Sequence, residues 1–272
     1  MSIATSACVG LAVWKILPMT AHRLKTVRLL SRALGVAGTL HVVRAKLMGQ
    51  KQVFVRARNA SHPILARMNN SDLPALAEIL CSAECELKLA WRPKTILDLG
   101  ANMGLTAIKL NEQFPEARLI AVEADSDSAE ICRMNLSHIR DAVILQAAIG
   151  WGPGLVKCLN PEAPSISRRF GSCDVRDLNS VQQITIREIM DRYQCRSPIL
   201  IKMDIEGAEA ACFEHSDTWL PWVDAVLVEA HSATEAKYIR QRFLHENFAV
   251  TYIGEKLFGE RKRSELTPAA EL

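Results

Sequence analysis

The stretch Thr95-Ile-Leu-Asp-Leu-Gly-Ala-Asn-Met-Gly104 decides the fold. Thr95 to Leu97 is a short, apolar, β-prone run of the kind that forms a buried strand. A glycine-punctuated turn follows, and Leu105 to Phe114 then carries apolar residues at 105, 108 and 110, a helical spacing. Strand, glycine turn and helix form the geometry in which backbone passes close beside a nucleotide-like ligand. Gly100 and Gly104 are expected to leave room there, and Asn102 tolerates left-handed backbone better than most residues. Asp98, at the end of the strand, is expected to face the same crevice. Glycine turns are common, so the next unit matters. Arg118-Leu-Ile-Ala-Val-Glu-Ala124 reads as a second strand ending in Glu123, 19 residues beyond Gly104. A Rossmann-type site needs a carboxylate near that position to accept ribose hydroxyls.

Working outward toward the C-terminus, Asp125 to Ser137 reads as a helix and Ala142 to Ile149 as a third strand. Leu155 to Leu159 is a further strand. Pro161 to Leu178 is polar and irregular, with Arg168, Arg169 and Arg176, and so long an aperiodic segment in a compact domain is usually functional or mobile. Thr185-x-x-Glu188 has the spacing of a capping box and opens a helix over 186–193. Ile199 to Glu206 is a strongly apolar strand leading into charge, followed by a helix over 208–213. Strands over 224–229, 248–253 and 256–261 and a helix over 234–245 complete the pattern. Strands alternating with helices from residue 95 onward give an α/β sheet with helices on both faces.

Toward the N-terminus the character changes. Asp and Glu are absent before Asp72, whereas eleven Lys and Arg lie between Lys15 and Arg67. The net charge of +3 therefore conceals a basic arm on an acidic body. Ile3 to Trp14 is apolar but too short to span a bilayer, and it lacks the preceding cations of an export signal. From Met19 to Val36, Leu24, Val27, Leu30 and Leu34 recur at helical spacing among His22, Arg23, Lys25, Arg28 and Arg32. Such a helix either lies on an anionic membrane or packs on the body with its cations in solvent. His41 to Val43 and Gln52 to Arg58 read as short strands. Asn70-Ser71-Asp72 precedes an acid-capped helix from Leu73 to Leu87, with Pro74 in its first turn. The chain thus divides into a basic helical arm over 1–50, a lead-in strand and helix over 51–92, the main domain over 93–261 and a polar tail over 262–272. Eight cysteines with no C-x-x-C pair and no clustered histidines argue against zinc and for a reducing, cytoplasmic setting.

Chemistry concentrates at Ile199-Leu-Ile-Lys-Met-Asp-Ile-Glu-Gly207. Read with a period of two, Lys202, Asp204 and Glu206 share one face of the strand. Charges at the carboxyl end of such a sheet point into the crevice where ligands bind. Asp204 and Glu206 are suited to deprotonating a hydroxyl or to holding a hard divalent cation such as magnesium. Glu209 fits a plainer role, as an anion near a helix N-terminus. His231 ends the following strand, directly after Val226-Leu-Val-Glu-Ala230, and joins Asp204 at the same rim if the two strands are neighbours.

Taken together, DLGANMG (98–104), VEAD (122–125), Asn135, IKMDIEGAE (201–209) and VEAH (228–231) resemble the FkbM family of S-adenosylmethionine-dependent methyltransferases. The string at 201–209 is the specific part, because the glycine loop is shared across methyltransferases generally. The resemblance covers about residues 53–258 and implies a Rossmann-like, seven-stranded sheet with one antiparallel edge strand. It implies methyl transfer to a hydroxyl, with Asp98, Gly100, Asn102 and Gly104 holding the methionine end of S-adenosylmethionine and Glu123 its ribose. Catalysis then falls to Asp204, Glu206 and His231. A small molecule, sugar or glycolipid is the expected acceptor, and residues 1–50 are expected to touch an anionic membrane at its inner surface. A nucleic-acid acceptor is the alternative that the basic arm suggests, but the arm lacks interleaved aromatic stacking residues. A non-catalytic cofactor-binding partner protein is the third reading. Ala124 departs from the proline common in the family, and the basic arm lies outside the resemblance.

Overall fold

The computed structural model describes residues 21–58, 60–68, 71–82, 86–173 and 180–262, with side chains of the first helix from Thr26 onward. The apolar run at 3–14, Asn70, Glu84, Arg176 and the tail beyond Lys262 lie outside the described residues. Two compact units are present, one of residues 1–83 with 164–166 and one of residues 84–163 with 167–272.

In the first unit, α1 (Ala21–Leu47) is interrupted at Gly35, whose φ of 74° and ψ of 178° break the helical phase. A side chain there would also meet Arg58, whose Nε lies 3.1 Å from the position of a Cβ. Two four-residue strands, β1 (Gln52–Val55) and β2 (Ile64–Arg67), pair antiparallel, and α2 (Asp72–Cys81) follows. Two expectations are corrected here. His41 to Val43 is helical, because Thr39, Val42 and Ala45 recur at helical spacing and are buried, which outweighs the β preference of two valines. The helix after Ser71 ends at Cys81 well before Leu87, and Asp72 does not cap it. Its carboxylate instead takes the amide, Nε and Nη2 of Arg67, each at 2.9 Å.

The second unit runs β3 (Thr95–Leu99), α3 (Leu105–Gln113), β4 (Arg118–Glu123), α4 (Ser126–Leu136) and β5 (Val143–Gln146). There follow β6 (Ala148–Gly150), β7 (Leu155–Cys158), β8 (Phe170–Ser172), β9 (Ser180–Thr185) and α5 (Ile186–Arg192). It closes with β10 (Ile199–Met203), α6 (Glu209–Glu214), β11 (Ala225–Val228), α7 (Ala233–His245), β12 (Phe248–Ile253) and β13 (Lys256–Arg261). Seven strands form one sheet in the order β12-β13-β11-β10-β3-β4-β5. β3 and β10 sit at its centre and are buried at every residue, as their nearly continuous apolar runs require of strands covered on both faces. The core between sheet and helices includes the edge-to-face rings of Phe213, Trp219 and Phe243.

The Rossmann-like α/β class is as expected, with three differences of detail. The antiparallel strand is β13, and it is not at the edge: it lies between β11 and β12, because α7 carries β12 past it to the outside. The single strand expected over 142–149 breaks at Ala147, whose amide is taken by Glu123 O at 3.1 Å. β6 then leaves to pair with β9 in a second sheet of order β6-β9-β7-β8. Finally, β10 stops at Met203, and Glu206 (φ 58°) and Gly207 (φ 104°) form a turn, so the strand alternation does not extend to Glu206.

The Thr185–Glu188 capping box is present in both directions, with Thr185 Oγ1 accepting from the Glu188 amide at 3.1 Å and Glu188 Oε2 accepting from the Thr185 amide at 2.8 Å. Thr185→Ala is expected to lower stability by about 1 kcal/mol, the usual loss for an N-cap hydroxyl. Urea denaturation measures it, and an unchanged midpoint would show that α5 is held by packing alone.

Candidate active site

β3, β4 and β10 are parallel neighbours, so their carboxyl ends lie along one rim. The loop leaving β3 places Gly100, Asn102 and Gly104 at φ 77°, 49° and 85°, and Asn102 takes the left-handed backbone expected of it. Gly100 and Ala101 both donate their amides to Val122 O, at 2.9 and 3.0 Å. Asn135 anchors the far side through Nδ2 to Met103 O at 2.9 Å. The space the two glycines leave is filled by protein. A Cβ at Gly100 would stand 1.7 Å from the backbone oxygen of Asp204, and one at Gly104 would stand 3.1 Å from Cys132 Sγ.

Glu123 ends β4 with its carboxylate nearly buried, accepting from the Asn102 amide at 2.7 Å on Oε2 and from the Asp125 amide at 2.8 Å on Oε1. Burial pushes its carboxyl up to about 7, against the pull of those two N–H groups. Asp125 caps α4 by accepting from the Ser128 amide and hydroxyl, and it forms an ion pair with Arg168. Burial works against the Asp125 carboxylate, yet Ser128 and Arg168 together hold it below the ordinary range. The pairing is not legible in the sequence, although Arg168 belongs to the irregular stretch expected to be functional or mobile.

Asp98 is inside β3, not at its end, and is fully buried. Lys202 from β10 faces it, with Nζ 3.2 Å from Asp98 Oδ1, 2.8 Å from Gly100 O and 3.8 Å from Asp204 Oδ2. Burial raises the Asp98 carboxyl and outweighs the lysine's pull. The lysine was legible only as a member of an alternating face; its bridging position comes from the register Lys202↔Asp98.

Beyond β10, Asp204 is 27% exposed and lies 3.7 Å from Lys256 Nζ, which also pairs with Glu229. Burial alone would raise Asp204, but Lys202, Lys256 and His231 hold it below the usual carboxylate range. Glu206, half buried on its turn, behaves oppositely: burial, and then the charges of Asp204, Glu229 and Glu209, push it up to about 7. His231 does meet Asp204 at the rim, its Nε2 3.4 Å from Glu209 Oε1. Burial disfavours its charged form, but Glu209, Glu206, Asp204 and Glu229 more than compensate and raise it. Glu209 has the plainer role expected: fully buried, it accepts from the Ile205 and Gly207 amides at 2.7 and 2.8 Å and so fixes the turn that carries Glu206.

Asp204, Glu209 and His231 each offer a ligand atom within 4.8 Å of the others. The set fits magnesium poorly. One donor is a nitrogen where magnesium demands oxygen, and both Glu209 oxygens already hold backbone amides. The cofactor side fits better. Asn102 Oδ1 is buried without a hydrogen-bond partner among the described residues, and each Glu123 oxygen keeps a further lone pair. These are acceptors at the carboxyl rim of a parallel sheet, suited to the ammonium and ribose hydroxyls of S-adenosylmethionine.

Sheet order, glycine loop and strand-end acid together define a Rossmann-like S-adenosylmethionine-dependent methyltransferase. Residues 98–250, more than half of the chain, match the methyltransferase FkbM domain. The chain belongs to the FkbM family of methyltransferases. Among solved structures, it is similar to an FkbM methyltransferase from Methylobacillus flagellatus KT at 14% identity and a TM-score of 0.46. That likeness covers 69% of this chain and 54% of the other, so this chain spans about half the length of that relative. It is also similar to a precorrin-6y C5,15-methyltransferase from Geobacter metallireducens GS-15 (10% identity, 66% and 84% coverage, TM-score 0.39). A ribosomal protein L11 methylase from Lactobacillus delbrueckii subsp. bulgaricus is similar at 12% identity (66% and 76% coverage, TM-score 0.36). No curated protein matches.

Two outcomes follow from this geometry. Gly100→Ala is expected to cost about 2–5 kcal/mol, combining left-handed strain with a forced shift of β10's end. A loss below about 1 kcal/mol in urea denaturation would mean that the Asp204 carbonyl gives way freely. Glu206 has a folded value near 7 against an ordinary 4.5, so the folded state holds its proton longer and stability is lost as pH rises between those values. Glu206→Gln removes that loss. The variant should therefore gain on the parent chain between about pH 5 and about pH 7, and parallel stability curves would refute the shift.

Proposed function

We propose that the chain is an O-methyltransferase acting on a hydroxyl of a small molecule, sugar or glycolipid. The observation that carries this reading is a pair of carboxylates of opposite electrostatic character at the rim of β10. Asp204 is held ionised by Lys202, Lys256 and His231, whereas Glu206 is poised near neutrality. S-adenosylmethionine, when bound, supplies a methyl group already activated on a sulfonium. The chain's own task is then to align an acceptor oxygen and to receive its proton.

The separation of the two carboxyls suggests separate roles. A base is most effective when its pKa lies near the working pH, which favours Glu206 as the proton acceptor. Asp204, its pKa held low by neighbouring cations, is better suited to accepting a hydrogen bond that orients the hydroxyl. His231, whose pKa four surrounding acids raise, can donate to a second oxygen of the acceptor. Glu123 and the loop at 98–104 would hold the cofactor.

The acid-free stretch before Asp72 keeps a nucleic-acid acceptor in view, since clustered cations bind phosphate backbones. The acidic rim of the site favours a neutral, hydroxyl-bearing acceptor instead. Transfer of labelled methyl from S-adenosylmethionine to metabolite and lipid extracts, set against RNA, separates these readings. Labelled RNA alone would overturn the proposal, and cofactor binding with no acceptor labelled would favour a non-catalytic protein.

With an acceptor in hand, Glu206→Gln is expected to lower kcat by roughly 100-fold or more while cofactor binding measured calorimetrically is kept. Asp204→Asn should mainly raise KM for the acceptor. Chelation should leave turnover intact; loss on chelation that magnesium restores would reassign Asp204 to a metal.

A further inference from the structure

We propose that the second half of α1 is a docking surface for an anionic lipid membrane. The sequence pattern pointed to the first half, through Leu24, Val27, Leu30 and Leu34. Two of these four residues are already used: Leu30 and Leu34 are 5% and 6% exposed. Gly35 breaks the helical phase, and beyond it a different stripe emerges. Val36, Leu40, Val43 and Leu47 recur at helical spacing on one side. Val36, Leu40, Leu47 and the adjoining Met48 are exposed, and the opposite side of the same turns buries Thr39, Val42 and Ala45.

The surroundings of this stripe say what covers it. At 3.6 residues per turn, Arg44 and Lys46 fall on either flank of the apolar line, and both are exposed. Acidic residues are absent from the sequence until Asp72. Five of the twelve exposed large apolar side chains among the described residues lie between Val36 and Phe54, in this one unit. An apolar line edged by cations on both sides matches acyl chains beneath anionic headgroups, each cation near such a surface adding about 1 kcal/mol. An RNA partner would leave the exposed aliphatic residues without a role, since single strands are held by stacking on aromatics. Among the described residues no helix is long and apolar enough to cross a membrane, and the contact proposed for this stripe is a peripheral one.

The test uses the full chain and co-sedimentation with vesicles of phosphatidylcholine, alone or with about one third phosphatidylserine. Binding to the anionic vesicles only, weakening as salt rises, is the expected result. Arg44→Gln with Lys46→Gln should weaken it on the order of 10-fold or more. Leu40→Gln with Leu47→Gln should weaken it several-fold, and because those side chains are exposed the thermal midpoint should hold. If that midpoint falls, the Arg44 and Lys46 pair alone decides. Equal retention on neutral vesicles, or no effect of either pair, would overturn the proposal. So would retention on RNA but not on vesicles, or a loss of oligomer mass in the Leu40 and Leu47 variant, which would give the stripe to a second copy. None of these outcomes depends on which acceptor is methylated.

Discussion

The close approach of Gly100 to the backbone of Asp204 is the contact on which the site depends. Nothing larger than hydrogen fits between the loop leaving β3 and the end of β10, and Lys202 ties the two together from within the sheet. The loop that would hold the cofactor and the carboxylate that would meet the acceptor are therefore parts of one rigid junction. A strained left-handed turn is tolerated here because three amides, those of Gly100, Ala101 and Asn102, are all satisfied by β4 at Val122 O and Glu123.

The same junction explains how so much charge is held at one rim. A charged Asp98 buried beside Asp204 needs a cation between them, and Lys202 provides it. Farther out, the antiparallel β13 contributes Lys256 from its first residue, balancing Asp204 and Glu229. Moving along the rim, the positive partners thin out, and Glu206 is left among acids with His231 as its countercharge. Two carboxylates two residues apart thus come to differ in proton affinity through their neighbours alone.

The two units solve their burial problems separately. The methyltransferase unit buries nearly continuous apolar strands together with a polar set, Asp98, Glu123, Lys202 and Glu209, each of which has a partner inside. The smaller unit has two short strands and a broken helix, and it relies on Arg67 clasping Asp72, the latter wholly buried. Its first helix exposes Val36, Leu40 and Leu47 beside Arg44 and Lys46, so apolar and basic side chains share one surface.

Much of this was legible beforehand. The β3 loop, the Glu123 strand end, the Thr185 capping box and the alternation of strands and helices follow from local spacing, because a turn residue or an apolar period acts over a few positions. The FkbM family was carried by the string at 201–209 for the same reason: consecutive residues of unusual type. What stayed hidden depends on residues far apart. That His41 to Val43 is helix was decided by what Val42 and Ala45 could bury, and the polar β9 became a strand because β6 and β7 offered partners. Glycine at 100 looked like room for a ligand, but the tertiary structure gives that room to Asp204. The opposite proton affinities of Asp204 and Glu206 were beyond any reading of sequence, since they arise from Lys202, Lys256 and His231 converging from three strands or strand ends. Sequence determined which segments could be strands, helices and turns; packing alone decided which charges would face one another.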